Sequence, residues 1–380
     1  MKTVKCGIDR IEEDSSILKG MRIGLITNPT GVDKDLKSTI DILKGMGELV
    51  CLFAPEHGVR GDVQAGLPIA DDVDERTGVK VYSLYGDRKK PTESMLRDVD
   101  ALVFDIQDVG ARYYTYLYTM SYGMEAAREF GRKFIVLDRP NPLGGIVTEG
   151  AVLDPAFSSF VGRYSIPARY GLTVGESARL INCEFGIGCN LEVVELAGWE
   201  RNMYFDDTGL DFIAPSPNIP TADTALLYAG ACLFEGTNVS EGRGTTQPFQ
   251  LVGAPWIDGY KLAQDLNQMN LKGVRFRPAC FTPAFSKHRG LLCKGVQMHV
   301  RDRNNMEPLK VAVAILSNLA RDYKEFEFLP NNKEGTKFDR LAGTDALRES
   351  IRNGSTEKFL SGVEIQLAEF EEIRQKYIIY

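Results

Sequence analysis

The loop that follows the apolar run 49–53 concentrates side chains that could perform acid–base chemistry. Its sequence, FAPEHGVRGDVQAG, places Glu56 directly beside His57. The same loop also supplies Arg60, Asp62 and Gln64. A carboxylate beside an imidazole at the end of a strand suits general acid–base catalysis. A structural alternative, in which Glu56 makes a fixed hydrogen bond and His57 packs, stays open.

A second group of polar side chains lies at and after the end of the apolar run 101–106. The segment DIQDVGARYY contains Asp105, Asp108, Arg112 and Tyr113. A carboxylate at the end of a buried strand is costly unless it is paired. Two interpretations stay open, because Arg112 either pairs with Asp105 or is free to hold an anion beside a site carboxylate. The nearby aromatic residues either stack on a sugar ring or belong to the core; they are Tyr113, Tyr114 and Tyr116.

A third candidate is the stretch 216–250, which is long and glycine-rich and is predicted to be a single loop. Loops of this length are commonly functional. Its hydroxyls, amides, carboxylates and arginine are typical of a sugar-binding site. They come from Asn218, Thr221, Glu235, Asn238, Glu241, Arg243, Thr245 and Thr246. The alternative is a loop that packs on itself and uses these side chains as caps.

The amino-acid composition argues against several classes of function. The 380 residues are 43% hydrophobic and 26% charged, which is typical of a globular protein. The net charge is -7 and no Lys/Arg-rich block occurs, which argues against nucleic acid as the main partner. Seven cysteines without a CxxC and only three histidines give little support to a zinc site. Neither GxGxxG after the first strand nor a Walker A motif occurs, so we predict no cofactor.

The termini and apolar runs bear on localisation. The start, MKTVKCGIDRIEEDSS, has no apolar core of a signal peptide, and no run approaches the ~20 apolar residues of a membrane span. Taken as it stands, the sequence predicts a cytoplasmic protein. A chain from which an export signal has been removed would look the same, so periplasmic or secreted locations stay open.

Strand and helix patterns alternate through residues 1–150, which predicts βαβ units and a mostly parallel sheet. Polar loops should then gather at the carboxyl ends of the strands, where open α/β sheets bind ligands. Four segments qualify: TNPTG, APEHG, DIQDVGAR and DRPNPLGG. A second, smaller α/β domain is predicted for 151–380, with a boundary near Gly150. Within it, Thr173 and Glu176 predict a capping box at the start of a helix.

These loops together resemble one family. The segments FAPEHGVRGDVQAG, VFDIQDVGARYYTYLYTM, VLDRPNPLGG and NIPTADTALLYAGACLFEGTNVSEGRGTTQPFQ are similar to the NamZ-type exo-β-N-acetylmuramidases, once catalogued as a domain of unknown function. The resemblance implies a Rossmann-like domain joined to a smaller α/β domain, with the site in the cleft between them. It implies a glycosidase that removes N-acetylmuramic acid from the non-reducing end of peptidoglycan fragments, without metal or nucleotide. It also implies a catalytic role for Glu56.

Glycosidases usually use two carboxyl groups, and the residues suggest how these roles are divided. With Glu56 as the acid, we rank Asp105 first and Glu241 second as its partner, with Asp62 and Asp108 behind. An arginine could bind the lactyl carboxylate of the sugar with two hydrogen bonds; the candidates are Arg60, Arg112 and Arg243. His57 would orient Glu56 or bond a sugar hydroxyl. Further substrate contacts are assigned to Tyr113, Asn218, Thr221 and Asn238.

Two other classes of function stay open. The same cleft could belong to a non-catalytic protein that binds amino sugars or muropeptides. It could also belong to an amidase or esterase that acts on cell-wall fragments. GxSxG is absent and Cys51 lies inside a predicted strand, so an acyl-transfer nucleophile has little support. The expected partner is a carbohydrate, and the sequence does not indicate an oligomeric state.

Overall fold

A seven-stranded sheet forms the first part of the fold. The computed structural model describes residues 3–56, 58–61, 71–86, 88–330 and 336–380. In space the strands run β3-β4-β2-β1-β5-β6-β7, and all neighbours are parallel except β3 and β4. Along the chain they are β1 (Ile23–Thr27), β2 (Leu49–Ala54), β3 (Asp72–Val73), β4 (Lys80–Ser83), β5 (Ala101–Asp105), β6 (Lys133–Leu137) and β7 (Asn190–Val194).

The parallel strands have the order of a doubly wound dinucleotide-binding fold. Without β3, their spatial order is third, second, first, fourth, fifth and sixth, which confirms the predicted Rossmann-like sheet. The order reverses between β1 and β5, and such a switch point opens a crevice at the carboxyl ends of the strands. The loops after the strands do meet there. The Thr27 hydroxyl donates to the Asp105 carbonyl at 2.8 Å, and Gln107 Nε2 donates to the Pro140 carbonyl at 2.8 Å.

Helices cover both faces of this sheet, which explains why its central strands are apolar throughout. The helices α1 (Gly7–Glu13) and α2 (Thr39–Gly45) pack on one face against Leu25 and Val103. The opposite face is covered by α3 (Tyr116–Glu129) and α4 (Val174–Glu184). The capping box predicted for α4 is confirmed, because Thr173 and Glu176 exchange side-chain and backbone hydrogen bonds.

A smaller antiparallel sheet and six helices form the second part, as predicted in outline. The sheet has the order β8-β10-β9. Helix α6 packs on this sheet, and α5 packs against α7. The elements are α5 (Ala222–Ala231), β8 (Leu251–Ala254), α6 (Gly259–Gln268), β9 (Val274–Phe281), β10 (Cys293–Val300), α7 (Pro308–Asp322), α8 (Lys337–Ala342), α9 (Ala346–Arg352) and α10 (Thr356–Arg374).

The boundary expected near Gly150 does not separate the two sheets. Strand β7 lies well beyond Gly150 and pairs with β6 over its whole length. The first sheet therefore uses the chain as far as Val194, and the second sheet begins at Leu251. The irregular segment between Gly150 and α4 interrupts the strand–helix alternation, and for this reason the sequence suggests a boundary there. It is a connection within the first part.

One other predicted element differs from the structure. The stretch 216–250, predicted as one loop, contains α5 and a 3-10 helix, Cys232–Gly236. The α5 residues from Thr224 to Ala231 are all buried. A helix that is buried on every side has no polar face, so its sequence lacks the amphipathic period by which helices are detected.

Candidate active site

A cavity forms where the loops after β2 and β5 face α5 and the segment that follows it. The cavity has a volume of about 160 Å³. Its aromatic walls are Tyr113, Tyr114, Tyr116, Tyr228 and Phe249. Its polar lining consists of Glu56, Thr115, Ser216, Asn218, Glu235 and Arg243. Two carboxylates, one arginine and an aromatic cage thus share one concave space, which is the usual composition of a ligand site.

Glu56 is held by two hydroxyl groups. It follows β2 directly and is half-buried. Its Oε1 accepts a hydrogen bond from the Tyr85 hydroxyl at 3.0 Å, and its Oε2 accepts one from the Thr115 hydroxyl at 3.1 Å. Among the described residues no cation forms a salt bridge with this carboxyl. These two hydrogen bonds fix the orientation of the carboxyl group at the cavity.

Aromatic rings pack edge to face around the cavity. Tyr228 of α5 makes such contacts with Tyr113, Tyr114 and Phe249, with centroid distances of 5.7, 5.8 and 4.8 Å. Tyr116 is fixed by its hydroxyl, which donates to the Pro215 carbonyl at 2.7 Å. These contacts make the walls rigid and apolar, so they can pack against the apolar face of a sugar ring.

Glu235 is the second carboxylate of the cavity. It lies in the 3-10 helix Cys232–Gly236, and its Oε1 accepts from Arg243 Nη2 at 2.8 Å. Lys337 Nζ lies 3.6 Å from its Oε2. Burial alone would raise the pKa of Glu235, but the charges of Arg243, Lys337 and Lys287 outweigh burial and hold that pKa below its ordinary value. Glu235 is therefore kept ionised, whereas Glu56 forms no salt bridge within the described part of the chain.

Glu241 stands behind this pair and does not line the cavity. Its Oε1 lies 3.5 Å from Arg243 Nε, and its Oε2 lies 2.7 Å from Lys287 Nζ. The Lys287 ammonium also donates to the carbonyls of Phe234 and Thr237, at 2.6 and 3.0 Å. Acidic and basic groups thus alternate from Glu235 through Arg243 and Glu241 to Lys287. The geometry gives Glu241 a supporting role behind Arg243 and not the predicted role of second catalytic carboxylate.

Asp105, ranked first as the partner of Glu56, lies outside the cavity and is completely buried. Arg139 binds it with two hydrogen bonds, Nε to Oδ1 at 2.6 Å and Nη2 to Oδ2 at 2.9 Å. The Thr39 hydroxyl also donates to it. The alternative in which Arg112 pairs with Asp105 is wrong, because Arg139 occupies both oxygens. Asp105 ties the end of β5 to the loop after β6 and has no free oxygen for chemistry.

Of the three predicted arginines, only Arg243 lines the cavity. Arg60 binds Asp74 through Nε at 2.8 Å and Nη2 at 3.0 Å. Arg112 is wholly buried, and its Nη2 donates to the Leu341 carbonyl at 2.9 Å. Burial lowers the pKa of Arg112, since no carboxylate forms a salt bridge with it in the described part of the chain.

Of the other residues predicted to contact the substrate, some line the cavity and others do not. Tyr113 and Asn218 line the cavity. Asp108, Thr221 and Asn238 do not, and each makes local bonds instead. Asp108 Oδ2 accepts from the Gly110 amide at 2.8 Å and from the Tyr170 hydroxyl, and burial raises the pKa of Asp108 to about 6. Thr221 caps α5, and the Asn238 side chain bonds the backbone at residues 325 and 327. His57 and Asp62 lie outside the described residues.

Comparisons with known proteins were made for the whole chain. Two family models match it in succession: the N-terminal part of the exo-β-N-acetylmuramidase NamZ over residues 23–223, and its C-terminal part over residues 226–380. The chain belongs to this family. A curated relative, the peptidoglycan β-N-acetylmuramidase NamZ of Bacillus subtilis (strain 168), is 52% identical over 382 residues, which is 99% of this chain and 91% of the relative.

Solved structures agree with the fold. A crystal structure of a DUF1343 family protein from Bacteroides fragilis matches with a TM-score of 0.90 and 40% identity, covering 100% of this chain and 99% of the other. A second DUF1343 protein from the same organism matches with a TM-score of 0.80 and 31% identity over the same shares. The two NamZ models divide the chain between residues 223 and 226, inside α5, and not near Gly150.

Three residues of the candidate site in this NamZ-family chain do not stand out in the sequence. Glu235 is one of several polar residues in 216–250 and is not ranked there as catalytic. The others are Tyr85, which bonds Glu56, and Tyr228, which packs in the cavity wall. A signal existed only for Glu235, since it is one of two glutamates in that stretch. Across the described ranges, no group of three or more His, Cys, Asp or Glu side chains could hold a metal ion, and no helix is long and apolar enough to cross a membrane.

Proposed function

We propose that this chain is an exo-β-N-acetylmuramidase, which releases N-acetylmuramic acid from the non-reducing end of peptidoglycan fragments. The observation that carries the proposal is the pair Glu56 and Glu235 in one aromatic cavity. Membership of the NamZ family and 52% identity to a peptidoglycan β-N-acetylmuramidase support it.

The two carboxyl groups have unlike surroundings, and this assigns their roles. Pairs of acids whose environments push their protonation apart are typical of glycosidases. Glu56, held by hydroxyls, donates its proton to the glycosidic oxygen as the bond from that oxygen to C1 breaks. Glu235, kept ionised beside Arg243, either accepts a proton from the water that attacks C1 or attacks C1 itself. In the second case water later releases the sugar, and Glu56 takes the proton of that water.

The walls of the cavity suit an amino sugar. Tyr113, Tyr114 and Tyr228 offer an apolar surface to one face of the ring. The Asn218 amide is buried at the cavity and has no side-chain hydrogen bond to another described residue, so it is available to a sugar hydroxyl or acetamido group. Arg243 is the cation that the lactyl carboxylate would meet, although it must do so while it holds Glu235.

The alternative of an amidase or esterase is less well supported. The thiol that lines the cavity belongs to Cys232, and burial raises the pKa of Cys232 well above its ordinary value. A thiol that stays protonated is a poor nucleophile. No histidine occurs among the described lining residues that could activate Ser216.

The test is hydrolysis of para-nitrophenyl β-N-acetylmuramide, with the β-N-acetylglucosaminide as the control substrate. On a disaccharide with terminal N-acetylmuramic acid, whose sugar leaving group needs a proton, Glu56→Gln and Glu235→Gln should each lower kcat by about 10²–10⁴-fold, the usual contribution of a proton-transfer group. Glu357→Gln, on the exposed surface of α10, is the matched control and should keep full activity. Proton NMR of the first anomer released distinguishes the two roles of Glu235.

Other outcomes have definite meanings. Hydrolysis of both substrates at equal rates would show that the lactyl group is not bound, and the role of Arg243 would fall. A folded wild-type protein that binds muramic acid without hydrolysing either substrate would favour the binding-protein alternative. Full activity of Glu235→Gln would remove Glu235 from the mechanism.

A further inference from the structure

The two carboxyl oxygens of Glu56 have different surroundings. Oε2 accepts a hydrogen bond from the hydroxyl of Thr115 at 3.1 Å, and Thr115 lines the cavity. Oε1 accepts one from the hydroxyl of Tyr85 at 3.0 Å, and Tyr85 is not among the described residues that line the cavity. One oxygen is therefore shared with a residue of the cavity and the other with a residue outside it.

The register of the first sheet brings Tyr85 to Glu56. Strands β2 and β4 are parallel neighbours, and Ala54 lies opposite Ser83. Glu56 and Tyr85 each follow these partners by two residues. The Tyr85 amide donates to the Ser83 hydroxyl at 3.2 Å, which fixes the turn after β4. Two adjacent strands thus bring the carboxyl group and its hydroxyl partner to the same edge of the sheet.

Tyr85 acts as a hydrogen-bond donor to Glu56. Burial, together with the charge of Glu56, raises the pKa of Tyr85 to about 12, so its hydroxyl keeps its proton at neutral pH. Within the described ranges this hydroxyl makes one hydrogen bond, to Oε1. A proton on Oε1 would point at the hydroxyl and leave the hydroxyl hydrogen without an acceptor. When Glu56 is protonated, its proton therefore belongs on Oε2, beside the cavity.

Thr115 has a hydroxyl that is free to serve both protonation states of Glu56. It directly precedes α3, where a threonine side chain commonly caps the helix. In the described structure its side chain makes no cap hydrogen bond and contacts Glu56 instead. A hydroxyl can either accept or donate a hydrogen bond. It can accept from Oε2 while Glu56 is protonated, and it can donate to Oε2 once Glu56 is ionised.

We propose that Tyr85 is a positioning residue that keeps the acid proton of Glu56 on Oε2, and that Thr115 assists its transfer. This inference rests on the proposed function, in which Glu56 is the acid. The proton moves from Oε2 to the glycosidic oxygen, and the electron pair of the O–H bond stays on Glu56. The electron pair of the bond to C1 passes to the glycosidic oxygen. Both hydroxyls then donate to the new carboxylate, and hydrogen bonds to the charged form favour it.

Two leaving groups of different acidity test the role of Tyr85. The sugar leaving group of a disaccharide with terminal N-acetylmuramic acid needs the proton of Glu56, whereas para-nitrophenolate leaves without one. Tyr85→Phe should lower kcat on the disaccharide by about 10–100-fold, the scale of a displaced catalytic group, and kcat on para-nitrophenyl β-N-acetylmuramide by less than about threefold. A variant that is only less stable would lose both activities in the same proportion.

Further variants separate the hydroxyl groups from the packing. Thr115→Val keeps the branched shape and should also lose disaccharide hydrolysis preferentially, whereas Thr115→Ser keeps the hydroxyl and should restore it. Tyr82→Phe is the matched control, since Tyr82 lies in β4 and its ring stacks on Phe53 with centroids 5.6 Å apart. It should leave both rates unchanged. Thermal unfolding of each variant confirms that it folds.

The outcomes distinguish this inference from the proposed function. Equal losses on both substrates in a folded Tyr85→Phe variant would make Tyr85 structural and would overturn the inference. An unchanged kcat of Tyr85→Phe on the disaccharide would also overturn it, while inactivity of Glu56→Gln on the same substrate would leave the proposed function standing. Full activity of Glu56→Gln on the disaccharide would overturn both.

Discussion

The carboxylates in and near the cavity differ in the partners that they meet. Arg139 and Thr39 donate hydrogen bonds to Asp105, and both of its carboxylate oxygens are occupied. Glu235 meets Arg243 on one oxygen and still lines the cavity. Glu56 contacts hydroxyl groups. The same functional group is thus a structural link at Asp105 and an ionised group of the cavity lining at Glu235, according to what surrounds it.

Replacing Asp105 with Asn should affect stability and leave chemistry intact. The change leaves the Arg139 charge buried without its counter-ion, which typically costs 3–5 kcal/mol. We therefore expect the free energy of unfolding to fall by about this amount, measured by urea titration, while kcat per folded molecule stays unchanged.

The matched control for this substitution stands at the other end of the same strand. Asp100 also pairs with an arginine, Arg22, at 3.0 Å, but both side chains are substantially exposed. Asp100→Asn should cost less than about 1 kcal/mol, as exposed pairs do. If Asp105→Asn instead kept its stability and lost its activity, Asp105 would be catalytic after all.

At the scale of single residues, the sequence identifies one of the two carboxylates that line the cavity. Glu56 stands out because it follows a strand and has an imidazole and glycines beside it. Glu235 does not stand out, since its role depends on Arg243 and on a helix that brings it to Tyr113. The sequence could not choose among Asp105, Glu235 and Glu241, because their difference lies in which cation each one meets in space.

Elements with a simple burial pattern could be predicted well. The run 134–137 of β6 is apolar and buried at every position, as expected of a strand covered on both faces. The α4 capping box was visible as residue types at a fixed spacing. Helix α5 was missed for the opposite reason, since it is surrounded by core and shows no polar face. The first sheet continues past the boundary predicted near Gly150, because a long connection interrupts the alternation before β7.

The start of α5 provides a test at the scale of an element. Thr221, predicted to contact substrate, accepts a hydrogen bond from the Thr224 amide at 3.2 Å as the N-cap. Thr221→Ala should lower the free energy of unfolding by about 0.5–2 kcal/mol. KM for the muramide should stay unchanged, because Thr221 does not line the cavity. Thr221→Ser should keep the stability of the wild type. If Thr221→Ala instead raised KM without loss of stability, Thr221 would contact the substrate.

The end of the chain joins the two parts of the molecule. Arg374 of α10 donates through Nη1 to the carbonyls of Gly145 and Gly171, at 2.7 and 2.9 Å. The Tyr380 hydroxyl donates to Asp138 Oδ2 at 2.7 Å and accepts from the Leu196 amide at 2.7 Å. Asp138 follows β6 of the first sheet. The last residues therefore hold the loops that begin at the carboxyl ends of that sheet, so the two halves should unfold together.

Tyr380→Phe should destabilise the molecule in a pH-dependent way. Burial raises the folded pKa of Asp138 to about 6, so its stabilising contribution is present below its ordinary pKa and is lost as pH rises through 6. The Tyr380 hydroxyl supports the ionised form. Its removal should cost about 1.5–3 kcal/mol at pH 8, where Asp138 is charged, and about 0.5–1.5 kcal/mol at pH 5, where it is protonated. Urea unfolding at both pH values measures the difference.

Tyr377→Phe is the control for this substitution. It removes a hydroxyl that donates to Glu184 at 2.6 Å on the exposed surface, and it should lower the free energy of unfolding by a smaller amount. An equal loss for Tyr380→Phe at both pH values would mean that Asp138 keeps one charge state across this range.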